Sequence, residues 1–275
     1  GACSLYSNTV GDNNVGVGYH SLLQATTAVQ NIGVGQGTLY SNIHGDANVA
    51  IGMQALYSNK CSYNVAVGDL ALNAQTTGYY NTAIGALAGR CNLTGTVNTA
   101  VGMYALHKNT TASRNTAVGY AALICNQTGG DNTAVGTSAL YKNTVSLNTA
   151  VGGCALICQT TGGCNTAMGY QAMFKNCDGT KNVGIGNQVM CAGSSGDSNV
   201  AVGYQANRLL TTGGGHSVLG YQAMYSNTTG NENVAVGSQS LYSNITGGCM
   251  VAIGTKALCS NNCTGFSTAV GHETL

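Results

Sequence analysis

A glycine returns along this chain at an almost fixed interval, and that interval limits the fold more than any other feature. It closes an Ala-Val-Gly-like triplet at Gly1, Gly18, Gly35, Gly52, Gly68 and onward to Gly271. The step is 17 residues except from Gly52 to Gly68 and from Gly136 to Gly152, where it is 16. A unit this short cannot hold a helix pair, and one unit alone cannot bury an apolar face, so such units become stable by stacking coil on coil.

With each anchor glycine as position zero, the other positions form columns. Position −4 is Asn in 13 of 16 repeats, the departures being His216, Met250 and Ser267. Position −2 is Ala or Gly everywhere except Val218, and position −1 is always aliphatic or Met. Position +4 is Leu or Met apart from Gly89 and Asn207. The Thr/Val-Ala-Val triplet alternates and is β-branched, which reads as a short strand. The Tyr-x-Ala-Leu piece reads as a second short strand, and Asn-Thr-Thr-Gly as a turn whose residues tolerate left-handed angles. Both 16-residue steps lose their residue inside that turn, where loops absorb deletions and packed strands do not.

These patterns predict an all-β fold, a parallel β-solenoid of about 16 coils with a 17-residue repeat. Residues 1–275 are expected to form one continuous array, a segment of a longer fibre. The −1 and +4 columns are expected to fill a thin core. The Asn column, with Asn48, Asn64, Asn81, Asn98, Asn115, Asn132, Asn148 and Asn165, is expected to form a ladder of side-chain amides. The small column then points outward. Constant smallness at an outward position predicts close approach of a second chain along Ala50, Ala66, Ala83, Ala100, Ala117, Ala134, Ala150 and Ala167. A side-by-side homotrimer would bury that stripe.

Composition narrows the function. Charged residues are 6% of the chain and the net charge is +1, which argues against a nucleic-acid or anionic-membrane partner. There is no apolar run of 18 residues to insert into a membrane. Catalysis needs converging unlike groups. The five His residues fall at five different repeat phases, so the reading is no enzyme, no metal and no cofactor. Tyr6, Tyr40, Tyr57, Tyr141, Tyr225 and Tyr242 share position +5, a stripe suited either to stacking on sugars or to packing on its neighbours.

Twelve Cys is an even and high count, which predicts structural disulfides in an oxidising setting. Cys91, Cys125 and Cys158 share a column but skip a coil each time, about 9.6 Å apart, beyond disulfide reach. Cys164 with Cys177 and Cys249 with Cys263 lie one coil apart and are the expected pairs, with bridges between chains as the alternative. Asn-x-Ser/Thr acceptors for N-glycosylation occur at Asn92, Asn109, Asn126, Asn227, Asn244 and Asn262.

The unit GYQAMYSNTTGNENVAVG, from Gly220 to Gly237, resembles repeats in tail-fibre and surface-fibre proteins of bacteriophages and large algal viruses. The Val-Ala-Ile-Gly piece from Asn48 to Gly52 is also similar to the head repeat of trimeric autotransporter adhesins. The resemblance covers the full chain and implies a trimeric solenoid. It implies an extracellular or virion-surface fibre shaft, non-catalytic and assembled with copies of itself, or alternatively an adhesin that recognises cell-surface glycans. The heptad stalk, membrane-anchor barrel and self-cleaving chaperone domain of those proteins have no counterpart here, and the adhesin repeat is shorter.

Overall fold

The structure is a computed structural model and describes residues 1–193, 195–261 and 265–274. It divides into two compact units, Gly1–Thr137 and Ser138–Leu275. The first holds β1 (Val15–Val17), β2 (Ile32–Val34), β3 (Val49–Ile51), β4 (Val65–Val67), β5 (Thr82–Ile84), β6 (Thr99–Val101), β7 (Thr116–Val118) and β8 (Thr133–Val135). The second holds β9 (Thr149–Val151), β10 (Thr166–Met168), β11 (Val183–Ile185), β12 (Val200–Val202), β13 (Ser217–Leu219), β14 (Val234–Val236), β15 (Val251–Ile253) and β16 (Thr268–Val270). Within each unit consecutive strands pair in parallel and in register, one strand per coil. Ala83 faces Ala100 and Ala100 faces Ala117 in the first unit, and Ala150 faces Ala167 in the second. The fold is therefore a parallel β-solenoid, and no helix occurs among the described residues.

The two faces of the strands are the reverse of the expectation. The small residue of the triplet points inward: Ala50, Ala66, Ala83, Ala117, Ala134, Ala150 and Ala167 are wholly buried within the single chain, and Ala100 is 2% exposed. The Val, Ile and Met at position −1 point out, with Ile51 40% and Met168 41% exposed. Space explains the inversion. Position −2 faces the +4 side chains across a narrow coil that holds a hydrogen or a methyl group there in every repeat except at Val218, which is buried in the coil where Asn207 replaces the +4 Leu. A Cβ built at Gly184 would already lie 3.0 Å from Met173 Cγ, and one at Gly33 would lie 3.5 Å from Leu22 Cγ. The Ala column is thus the core and not a chain interface.

The Tyr-x-Ala-Leu piece is also not a strand. Its residues at +2 and +4 take left-handed backbone angles, as in Gln54 and Leu56 (φ 53° and 52°) and Tyr104 and Leu106 (φ 62° and 51°). A strand sends neighbouring side chains to opposite faces. Here Ala55 and Leu56 are both fully buried, as are Ala155 and Leu156. The left-handed residue turns the chain so that both side chains of the pair enter the core. Bonds still run from coil to coil: Leu56 N–H donates to the Ala71 carbonyl (3.0 Å) and Gln54 N–H to the Gln36 carbonyl (2.8 Å). Non-glycine residues in this region cost about 1–2 kcal/mol each, so stacking must offset that strain in every coil.

The anchor glycine has two reasons to stay glycine. Gly52 has φ 120°, and a Cβ there would lie 2.6 Å from the carbonyl oxygen of Gly68 in the next coil. Where the +4 column lacks its Leu, at Gly89, a small internal void opens against Leu72, Ala100 and Leu106.

Candidate functional site

The buried polar groups are spent on joining coils. In the first unit the Asn column forms a continuous ladder. The Oδ1 of Asn48 accepts from the backbone N–H of Asn64 (2.9 Å), that of Asn64 from Asn81 (3.0 Å), that of Asn81 from Asn98 (2.9 Å) and that of Asn98 from Asn115 (3.0 Å). Asn115 receives Asn132 in the same way (2.9 Å). In the second unit Asn148 accepts from Asn165, and Asn165 from Asn182, both at 2.9 Å. Each Nδ2 then reaches a carbonyl in the following coil: Asn81 donates to Gly95 (2.8 Å) and Asn165 to Gly179 (2.8 Å). The principal rung runs from backbone N–H to side-chain oxygen; amide-to-amide bonds such as Asn48 to Asn31 (3.0 Å) supplement it.

A second ladder sits at position +7. Asn126 donates to Asn109 (3.3 Å), Asn109 to Asn92 (2.8 Å) and Asn92 to the side-chain oxygen of Gln75 (3.0 Å). These are the same asparagines that carry the glycosylation motif. Asn92 and Asn109 are 1% exposed, and Asn126, Asn227 and Asn244 are fully buried. A glycan needs an open amide, so the folded chain offers no acceptor at these five positions; Asn262 lies outside the described residues.

The expected disulfides are not formed. Cys164, Cys177 and Cys249 are free thiols. Cys164 sits at position −5, where its neighbour one coil on is Lys181, whose N–H donates to the Gly163 carbonyl (3.2 Å). Register therefore stacks Cys164 on Lys181 and not on Cys177. Cys249 points back one coil, its thiol 3.7 Å from Glu232 Oε2. Its expected partner, Cys263, lies outside the described residues.

The +5 tyrosines mostly pack on each other. Tyr40 stacks on Tyr57 with centroids 4.8 Å apart, and Tyr225 on Tyr242 at 5.2 Å. A different set is open. Tyr19, Tyr120, Tyr170, Tyr204 and Tyr221, all at position +1, are about half exposed and border the outward strand face. Among the described residues, positions −3, −1 and +1 together hold 18 of the 28 exposed large hydrophobic residues, so the exposed apolar surface is concentrated on one side of the coil. No charged residue occurs at −3 or −1. Sequence alternation alone does not reveal this surface, because it places the −1 column in the interior.

One coil breaks the pattern. Leu210 occupies the +7 Asn position and Asn207 the +4 Leu position, so the two residue types are exchanged. Both side-chain amide atoms of Asn207 and of Asn227 are buried without a hydrogen-bond partner. Each orphaned buried group costs about 1–3 kcal/mol. Asn207→Leu is expected to stabilise the second unit by about 2 kcal/mol. The exchange variant Asn207→Leu/Leu210→Asn should stabilise it further, because Asn227 regains an amide neighbour. Denaturant melts of the three chains measure this.

The same coil carries His216 in the Asn ladder. Its Nδ1 accepts the Asn233 N–H (3.2 Å), so the proton resides on Nε2, which is buried without a hydrogen-bond partner. Burial pushes its pKa down to about 4, and the Gly230 carbonyl pulls the other way. The unfolded chain has the ordinary value near 6.5, so between those values it binds more protons than the folded chain. Stability is complete above about pH 6.5 and falls by up to about 3 kcal/mol as the pH drops to 4. His216→Asn should abolish that part of the pH dependence, read by hydrogen exchange of residues 199–233 at pH 4.5 and 7.

Among the described residues no group of three His, Cys, Asp or Glu side chains is placed to hold a metal ion, and no helix is long and apolar enough to cross a membrane. No protein-family model, curated protein or solved structure matches the chain.

Proposed function

We propose that this chain is a structural, non-catalytic segment of an extracellular or virion-surface fibre shaft, assembled side by side from copies of itself. The observation that carries the reading is the apolar face at positions −3, −1 and +1, whose −3 and −1 rows hold no charged residue. Contiguous exposed apolar surface of this kind marks an interaction site. Eight strands at about 4.8 Å and five residues at about 3.3 Å give each unit a face of roughly 600 Å². Two such faces together bury about 1,200 Å², the lower limit for a specific interface. A second copy fits because its coils have the same spacing, so every Val, Ile and Thr row meets a row of equal period. Two like faces packed on each other close as a twofold pair, whereas in a homotrimer three faces turn to a common axis and each shares its area between two neighbours; in both, the interface lies on the branched residues instead of the Ala column.

Light scattering of the chain with and without reductant tests this. A trimer that survives reduction is the expected result; a monomer under both conditions overturns it. The half-exposed tyrosines at +1 favour one second reading, an adhesin that stacks sugars on Tyr204 and Tyr221. A specific glycan-array signal lost in Tyr204→Ala/Tyr221→Ala would support that reading.

A further inference from the structure

We propose that Tyr63 and Tyr80 form a radical-coupling site, at which a one-electron oxidant joins their rings into dityrosine and so links the coils of β4 and β5 covalently. The two rings are stacked, with centroids 5.2 Å apart and planes 21° from parallel. Register puts them there. Each is the −5 residue of its coil, and each takes a left-handed backbone angle (φ 63° and 57°). The residues that follow lock the spacing: Asn81 N–H donates to Asn64 Oδ1 (3.0 Å), and Val65 faces Thr82 in the sheet. The stack thus inherits the coil repeat of about 4.8 Å. Among the described residues four tyrosine pairs stack in this way, and this one is the most open, with Tyr63 54% and Tyr80 55% exposed. Tyr40 with Tyr57 and Tyr225 with Tyr242 are half-buried, and the Tyr225 hydroxyl also accepts from Arg208 Nη1 (2.7 Å). Tyr204 and Tyr221 are exposed but stand at +1, on the apolar contact face. Position −5 lies outside the three rows of that face, so the site does not depend on whether chains associate.

The chemistry balances on the two rings and one peroxide. Hydrogen peroxide, turned over by a peroxidase, takes one electron and one proton from each phenol and leaves as two waters. Each ring is then a phenoxyl radical with spin density on the two Cε carbons beside its oxygen. One carbon–carbon bond forms between a Cε of Tyr63 and a Cε of Tyr80. The hydrogen displaced from each of these carbons returns as a proton to its own phenol oxygen through water, so both hydroxyls survive. Two tyrosines and one hydrogen peroxide become one dityrosine and two waters, with two electrons passed to the peroxide. Exposed rings turn about χ2 on the nanosecond scale or faster, so the stacked pair can present carbon to carbon. A biaryl bond holds two ring centres a little closer than one coil spacing, and the coils need not part. Holding both radicals one coil apart favours this coupling over encounter with a second chain.

The experiment is peptide mapping of the full chain after treatment with hydrogen peroxide and a peroxidase, followed by reduction and alkylation of the thiols. Cleavage after Lys and Arg and before Asp separates the peptide 61–68, which holds Tyr63, from 69–90, which holds Tyr79 and Tyr80. The expected product has the summed mass of these two peptides less two hydrogens, resists reductant and forms in the same yield on dilution. It is lost in Tyr63→Phe and in Tyr80→Phe. It persists in Tyr79→Phe, whose ring stands edge-on to Tyr80 (5.3 Å, 77°). A phenylalanine keeps the stack and removes only the phenol, so loss of the link reports the chemistry and not unfolding. Absence of the link under conditions that couple free tyrosine, a link that survives Tyr80→Phe, or a yield that falls with dilution would overturn the proposal.

Discussion

Asn81→Asp is expected to destabilise the first unit by about 4 kcal/mol or more at pH 7, although the two side chains are nearly the same shape. The Oδ1 of Asn81 accepts the Asn98 N–H, a role a carboxylate keeps. The Nδ2 donates to the Gly95 carbonyl (2.8 Å), to Gln75 Oε1 (3.1 Å) and to Asn64 Oδ1 (3.4 Å). A carboxylate would press its second oxygen against three oxygens, in a position that is 1% exposed and has no cation on it. Asn81→Ala removes the rung without adding charge and should cost about 2–3 kcal/mol. The two variants differ in their response to acid. Burial and the facing oxygens raise the folded pKa of an Asp at 81 above its unfolded value near 3.9. The destabilisation is therefore complete above the folded pKa and is relieved as the pH falls through it, because the protonated acid can donate again. Asn81→Ala has no such recovery. Denaturant midpoints of both variants at pH 7 and pH 5 decide the matter. An Asp variant as stable as the parent at pH 7 would mean that the ladder does not hold the coils together.

The ladder was legible in the sequence because only one residue type offers an acceptor and a donor at the right reach, and it recurs at position −4 of 13 repeats. The parallel stack followed from the period. The orientation of the strands did not. A Thr-Ala-Val triplet alternates whichever side faces the core, and the usual weighting puts the larger apolar residue inside. The signal that settles it was present as tolerance of size. Position −2 stays at Ala or Gly in 15 of 16 repeats, and the outward row passes from Val to Thr to Ser. A 17-residue coil has so little interior that smallness marks the core. The left-handed Leu residues were hidden for a different reason. Leu56 and Leu106 carry no Gly or Asn signature, and only the adjacent burial of Ala55 and Ala105 shows that the period is not two. The glycosylation motif misled because the turn consensus Asn-Thr-Thr contains it, while the asparagine itself belongs to the buried second ladder.

Two neighbouring substitutions on β7 separate core from surface. Ala117 lies between Ala100 and Ala134 on the inner face and is wholly buried. Ala117→Leu inserts three heavy atoms into a column with room for a methyl group, and is expected to cost about 3 kcal/mol or more. Val118 is the next residue and points outward, half-buried beside Val101 and Val135. Val118→Lys extends its stem along those neighbours and keeps its ammonium in water, so the stability of one chain should change by less than about 1 kcal/mol. Its effect appears in the mass: a lysine buried in an uncharged apolar contact has no partner, and the assembled form should give way to monomer. Had the faces been arranged as alternation first suggests, the outcomes would be exchanged. Val118→Lys would then unfold the unit, and Ala117→Leu would leave a folded chain unable to associate. Melting and solution mass, measured on the same two proteins, therefore test the buried column and the contact face together.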